Sequence, residues 1–231
     1  MLKIQMGLTG ITRKETATVL AEYLQVKQQY RGGINRAFMV GDWKVQLNDS
    51  IVPEASEGEA DEGYKVEIEF DSLNPDAIGK LIEAGAIVNE SCRLTVTIED
   101  SGHTDKTKDN LQKIFESKNE LIFKALGTED GRIEFDKNKV IFGLFRATLD
   151  AEKISAYEQF CSLLNQLALN SKSASSKKTE TDNDKFTFRV FLIRIGMVGD
   201  EYKAARKILL ERLEGNAAFR SGSKPEKVAT K

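Results

Sequence analysis

One histidine, two cysteines and an abundance of carboxylates bound the chemistry this chain can do. The histidine is His103, alone of its kind in 231 residues. A single imidazole removes most of the support for a His-based metal site, a Ser-His-Asp triad or a Cys-His pair. His103 stands near Asp100 and Asp105 in a polar stretch. There it reads as a solvated loop residue before it reads as a lone acid or base. Cys92 and Cys161 lie far apart in sequence and read as free thiols of a reducing compartment. The chain carries no Gly-Lys-Ser/Thr phosphate loop and no dinucleotide fingerprint. With 36 Asp and Glu residues, no carboxylate pair stands out as an acid–base couple. The sequence thus nominates no catalytic residue, no metal ligand and no cofactor. The expectation is a protein that binds rather than catalyses.

A binding surface is easier to place. The net charge of -2 argues against wholesale polyanion binding, but the charge is uneven. Nine acids and one lysine, Lys65, fall between Glu54 and Asp76, whereas eleven basic residues and five acids fall between Lys185 and Lys231. The basic candidates for contact with a partner or a nucleic acid are Arg189, Arg194, Lys203, Arg206, Lys207, Arg212 and Arg220. Phosphate contacts of this kind weaken steeply with salt. The acidic run reads first as a solvated linker and second as a mimic of nucleic acid.

The elements that must hold these residues follow from periodicity. Thr12 with Glu15 forms a capping box for a helix to Leu24. Ala37 to Leu47 reads as a hairpin about Gly41-Asp42, with Trp43 as its packing anchor. Tyr64 to Phe70 alternates as a half-buried strand, and Asn74-Pro75 opens a helix. Leu94 to Ile98 is a second such strand. A long helix from about Lys106 to Leu126 ends at the C-cap Gly127. Arg132 to Phe145 reads as another hairpin, and Asp150 caps a helix to about Asn170 whose apolar stripe includes Cys161. Phe186 to Ile195 fits either a buried strand or a short helix, with helix favoured. Asp200 to Leu213 reads as a helix with a basic side, after the turn Gly196 to Gly199.

The fold class expected is α+β: small antiparallel sheets or hairpins with packed helices, ending in a helix-turn-helix-like αα-hairpin. Three units are expected. They are an N-terminal helix plus hairpin over 1–52, a central α+β domain over 63–170 and a C-terminal helical unit over 185–220. Residues 53–62 and 171–184 are expected as linkers and 221–231 as a tail. The αα-hairpin reads as ordinary packing before it reads as a groove reader, because Asp200 and Glu201 lead its second helix. The same acids oppose the match of Gly196 to Gly199 to the Gly-x-x-Gly loop of RNA-binding KH domains. No apolar run approaches the roughly 20 residues needed to span a bilayer. The N-terminus lacks the marks of a signal peptide, so the expected location is the cytoplasm.

Three segments carry a resemblance. They are Ile4 to Lys14, Ser117 to Gly127, and Phe188 through Gly199-Asp200-Glu201-Tyr202 to Phe219. In these the chain resembles a group of Firmicutes proteins carried on conjugative elements and related mobile DNA, labelled "virulence-related protein". The resemblance implies an accessory protein of a mobile element in a bacterial cytosol. The function expected is therefore a non-enzymatic binding protein whose partner is a host or element protein, for example an inhibitor of a CRISPR effector. The alternatives are a nucleic-acid-binding accessory using the basic C-terminal unit, and an enzyme with an unrecognised site.

Overall fold

A computed structural model describes residues 2–32, 36–47, 66–71, 73–88, 93–99 and 101–218. The acidic run from Glu54 as far as residue 65, together with Cys92, Asp100, Arg220 and the expected tail, lies outside the described residues. The fold is α+β. The chain divides into two compact units, one of residues 1–101 and 132–155, the other of residues 102–131 and 156–231. The expected central domain, 63–170, contributes residues to both.

The first unit is built on one antiparallel sheet. Its strands are β1 (Leu2–Thr9), β2 (Gln29–Gly32), β3 (Ala37–Val40), β4 (Trp43–Leu47), β5 (Val66–Phe70), β6 (Ile87–Val88), β7 (Arg93–Ile98), β8 (Arg132–Asp136) and β9 (Lys139–Arg146). Their order is β2-β3-β4-β5-β1-β7-β9-β8, with β6 also paired to β1. The two hairpins expected from turn chemistry, β3–β4 and β8–β9, are both present. Gly41 takes the left-handed backbone that the first of these turns requires, at φ 59°.

Strand periodicity then sorts the residues into two faces. Directly opposed residues in an antiparallel pair share a face. One row therefore runs Trp43, Phe70, Ile4, Val96, Phe142 and Ile133 across six strands. All six are buried, and Trp43 stacks on Phe70 at 4.3 Å between ring centroids. This face is the core of the unit. Helix α1 (Arg13–Leu24) packs against β3 and β4 and against helix α2 (Pro75–Glu83). Thr12 closes the expected capping box on α1, and Asn74 caps α2.

The second unit is helical. It holds α3 (Asp105–Leu126), α5 (Asp184–Arg194), α6 (Lys203–Leu210) and most of α4 (Ala151–Asn170). Gly127 ends α3 in the left-handed conformation, as its C-cap position demands. The ambiguous segment from Phe186 is helical, with Phe188, Phe191 and Leu192 buried. Helices α5 and α6 pack on one another as the αα-hairpin. The second of them is shorter than its apolar periodicity predicts. Asp200 to Tyr202 form a turn instead, closed by the Lys203 N–H donating to the Asp200 carbonyl at 3.0 Å. Gly199 at φ 92° sets the chain into that turn.

Candidate active site

The opposite face of the sheet is polar where the core face is apolar. Lys44, Glu69, Gln5 and Thr95 stand in one register row across β4, β5, β1 and β7. Lys3 and Thr97 pair in the next row, and Gln46 and Gly7 lie in another. The alternation that buries Ile4, Met6 and Leu8 therefore sends Lys3 and Gln5 to this side. A charged network links three strands, β1, β5 and β9, through Glu99, the residue after β7. The Lys3 ammonium lies 3.2 Å from Glu69 Oε1 and 3.4 Å from Glu99 Oε1, and Lys139 reaches Glu99 Oε1 at 2.8 Å. These groups are half-buried: the Glu69 and Glu99 side chains keep 22% and 19% of their exposure.

Protonation follows from the geometry. Burial works to lower the Lys3 pKa, but the hydrogen bond and charge of Glu69, with the charge of Glu99, hold it above the ordinary lysine value. The hydrogen bond from Lys139 holds Glu99 below the ordinary carboxylate value. Asp71, one residue beyond β5, behaves in the opposite sense. Burial pushes its carboxyl up, the neighbouring charges of Asp42, Glu99 and Glu69 add to this, and Lys3 opposes it. The face thus carries lysines, Lys3 and Lys139 among them paired with carboxylates, and one carboxyl, Asp71, held above its ordinary value. Among the described residues no three His, Cys, Asp or Glu side chains converge as a metal cage. Glu69 and Glu99 are engaged by lysines instead.

At the start of α1, Arg13 packs its guanidinium over Phe38 at 5.2 Å and over Tyr30 at 5.8 Å, and donates to the Arg36 carbonyl. Gly10, at the exit of β1, lies so close to Gly85 that a Cβ there would come within 2.5 Å of the Gly85 carbonyl oxygen. These contacts fix where β1 ends and α1 begins.

The residues expected from sequence to bind a partner sit elsewhere, in the second unit. Arg206 donates to the Met197 carbonyl at 2.9 Å and Arg189 to the Ala217 carbonyl at 3.4 Å. Arg212 packs beside Gly127, and Lys203 and Lys207 are exposed on α6. Arg194 stands at the end of α5 and lines a cavity. His103, expected as solvated, is half-buried and bonded at both ring nitrogens, to Thr107 Oγ1 at 3.0 Å and to Asn165 Oδ1 at 2.7 Å. It serves packing in the helical unit. Cys161 is fully buried, and burial raises its thiol well above the ordinary value, in keeping with a core role.

An antiparallel sheet with helices behind its apolar face and an ion-paired, half-buried polar face is an architecture suited to an enzyme that handles charged substrates. Residues 4–140 match the family described as "Putative amidoligase enzyme", and the chain belongs to that family. The matched span begins one residue after Lys3 and contains the rest of β1 with β4, β5 and β7. No curated protein and no solved structure matches the chain. Family membership overturns the expectation of a non-enzymatic accessory protein. It also overturns the inhibitor-of-CRISPR and nucleic-acid-binding readings that rested on that expectation. The signal missed was the alternation of Leu2, Ile4, Met6 and Leu8 with Lys3 and Gln5. It marks a half-buried strand at the centre of the sheet.

Proposed function

We propose that this chain joins a carboxylate to an amine, using the polar face that β4, β5, β1 and β7 present. Membership of the amidoligase family over the strands that build that face carries the reading. Amide formation must expel a carboxylate oxygen, and a nucleoside triphosphate is the class of co-substrate that makes it leave. The carboxylate oxygen bonds to the terminal phosphorus as the bond to the nucleoside diphosphate breaks. The amine nitrogen then bonds to the acyl carbon, inorganic phosphate departs, and the nitrogen loses a proton. Lys44, and Lys3 beside its Glu69 and Glu99 partners, are the cations this face offers to the anionic substrates. Asp71, with its raised carboxyl, is the group best tuned to take the proton, since a base works best with a pKa nearer the working pH.

The resemblance to mobile-element proteins supports a bacterial cytosol as the setting. There the carboxylate or the amine belongs to a metabolite or to a side chain of a host or element protein. Among the described residues no helix is long and apolar enough to cross a membrane. The test is phosphate release by the full chain with a nucleoside triphosphate and a panel of carboxylates and amines, with mass spectrometry of the products. Release that requires both co-substrates, with an amide of the matching mass, is expected. Nucleotide hydrolysis indifferent to the amine across the panel contradicts the proposal.

A further inference from the structure

The second unit holds a cavity of about 170 Å³ whose lining is basic and contains no carboxylate. That is smaller than the roughly 300–1,000 Å³ of sites for drug-sized ligands, so its occupant is small. Ile114, Leu167 and Phe191, from α3, α4 and α5, form its apolar part. Three cations line it: Lys118 on α3, Arg194 at the end of α5, and Lys177. Lys177 belongs to the stretch 171–184, expected from its composition as a linker, of which Asp184 begins α5. The rest of that stretch has no helix or strand but is fastened along α3. The Thr179 N–H donates to the Ser117 carbonyl at 3.2 Å, and Lys118 donates to the Thr179 hydroxyl.

Two acids on the elements that flank it are paired with other lysines. Glu120 pairs with Lys178 at 2.6 Å and Asp184 with Lys124 at 2.8 Å. Like charges gathered in a concave site repel one another and call for an anion. The hydroxyls are arranged in keeping with this. Ser117 and Ser171 donate to the Ile114 and Leu167 carbonyls. Ser175 instead accepts the Lys177 N–H at 3.2 Å, which leaves its own proton to be given to a ligand. Ser173 lines the same cavity.

We propose that this cavity is an anion site that takes a phosphate group, held by Lys118, Lys177 and Arg194 and by the Ser175 hydroxyl. A tetrahedral dianion matches converging cations and hydroxyl donors better than a planar carboxylate does. Burial, and the charge of Arg194, hold Lys118 below the ordinary lysine value, and a bound anion relieves both. Most of the lining lies beyond residue 140, outside the span matched by the amidoligase family. The site therefore stands or falls apart from the ligase reading.

The experiment is calorimetric titration of the full chain at constant ionic strength, with chloride as the balancing ion. Inorganic phosphate, glycerol phosphate, sulfate and acetate are the probes. One site is expected for the tetrahedral anions, with acetate weaker by about tenfold, the equivalent of one lost charge-assisted hydrogen bond. Tighter binding of glycerol phosphate than of phosphate identifies a phosphorylated metabolite as the ligand, and the reverse identifies the free ion. Lys118→Met weakens binding about tenfold or more by the same reckoning, Lys118→Arg retains most of it, and Lys172→Met changes nothing. Sulfate stays a dianion across neutral and alkaline pH. Its affinity therefore falls as pH rises through the depressed Lys118 pKa, and that fall is absent in Lys118→Arg. If Lys118→Met unfolds, Arg194→Gln makes the same test. Heats no different from those of chloride, or affinity unchanged in both variants, overturn the proposal.

Discussion

Asp71 is the residue on which the proposed chemistry turns. Its raised carboxyl has two consequences of known sign. As a base it acts only when ionised, so amide synthesis increases as pH rises through its elevated pKa. Asp71→Asn removes that limb of the pH–rate profile and lowers kcat by about 100-fold, the usual scale for a lost general base. For stability the sign reverses. A carboxyl whose pKa is higher in the folded than in the unfolded state destabilises the fold when ionised, and the cost disappears as pH falls through the folded value. Asp71→Asn therefore melts at or above the wild-type temperature near neutral pH, measured by thermal denaturation. A loss of activity without a loss of stability separates a functional carboxyl from a structural one. Glu99 runs the other way. Its pKa is depressed, so its stabilising pair with Lys139 is present above the unfolded carboxylate value and is lost as pH falls through the lower folded one. Glu99→Gln costs about 0.5–1 kcal/mol at neutral pH, as for a partly exposed pair, and little in acid, where both proteins have lost the interaction.

At the scale of elements, turn and cap chemistry made much of the architecture legible. Thr12 with Glu15, Asn74 with Pro75, Gly127, and the turn at Gly41 each stand where their local backbone demands that residue type. The strand at the N-terminus was the critical omission. Its alternation is present, with Ile4, Met6 and Leu8 buried and Lys3, Gln5 and Gly7 between them, but Gly7 gives the polar side no side chain to mark it. Without β1 the polar residues have no common surface. Lys3, Glu69 and Glu99 lie 66 and 96 positions apart in sequence, and only the pairing of β1 with β5 and β7 brings them together. The carboxylates were too many to choose among until the sheet selected them. Gly10 shows how tightly β1 is anchored. Its φ of 77° and the close Gly85 carbonyl leave no room for a Cβ, so Gly10→Ala should destabilise the first unit by about 1–3 kcal/mol in urea unfolding.

For the whole molecule, the chain passes twice through each unit, and this decides what can be cut. The family match ends at residue 140, near the beginning of β9 (Lys139–Arg146). That strand lies between β7 and β8, so a fragment ending at 140 takes from β8 the partner it has among the described residues and exposes the edge of β7. Fragment 1–140 is expected to lack cooperative unfolding by circular dichroism. A fragment that unfolds cooperatively would show the sheet to be closed differently. Family membership supplied what composition could not. One histidine and no phosphate loop remove several kinds of enzyme, but an amide ligase built on a strand-borne ladder of lysines and carboxylates carries none of those marks. The most direct test is amine-dependent phosphate release by the full chain, compared between wild type and Asp71→Asn across pH. The account predicts an amide product whose formation increases with pH in the wild type and is about 100-fold slower and flat in the variant. Equal rates in the two proteins, with the same pH profile, would contradict it.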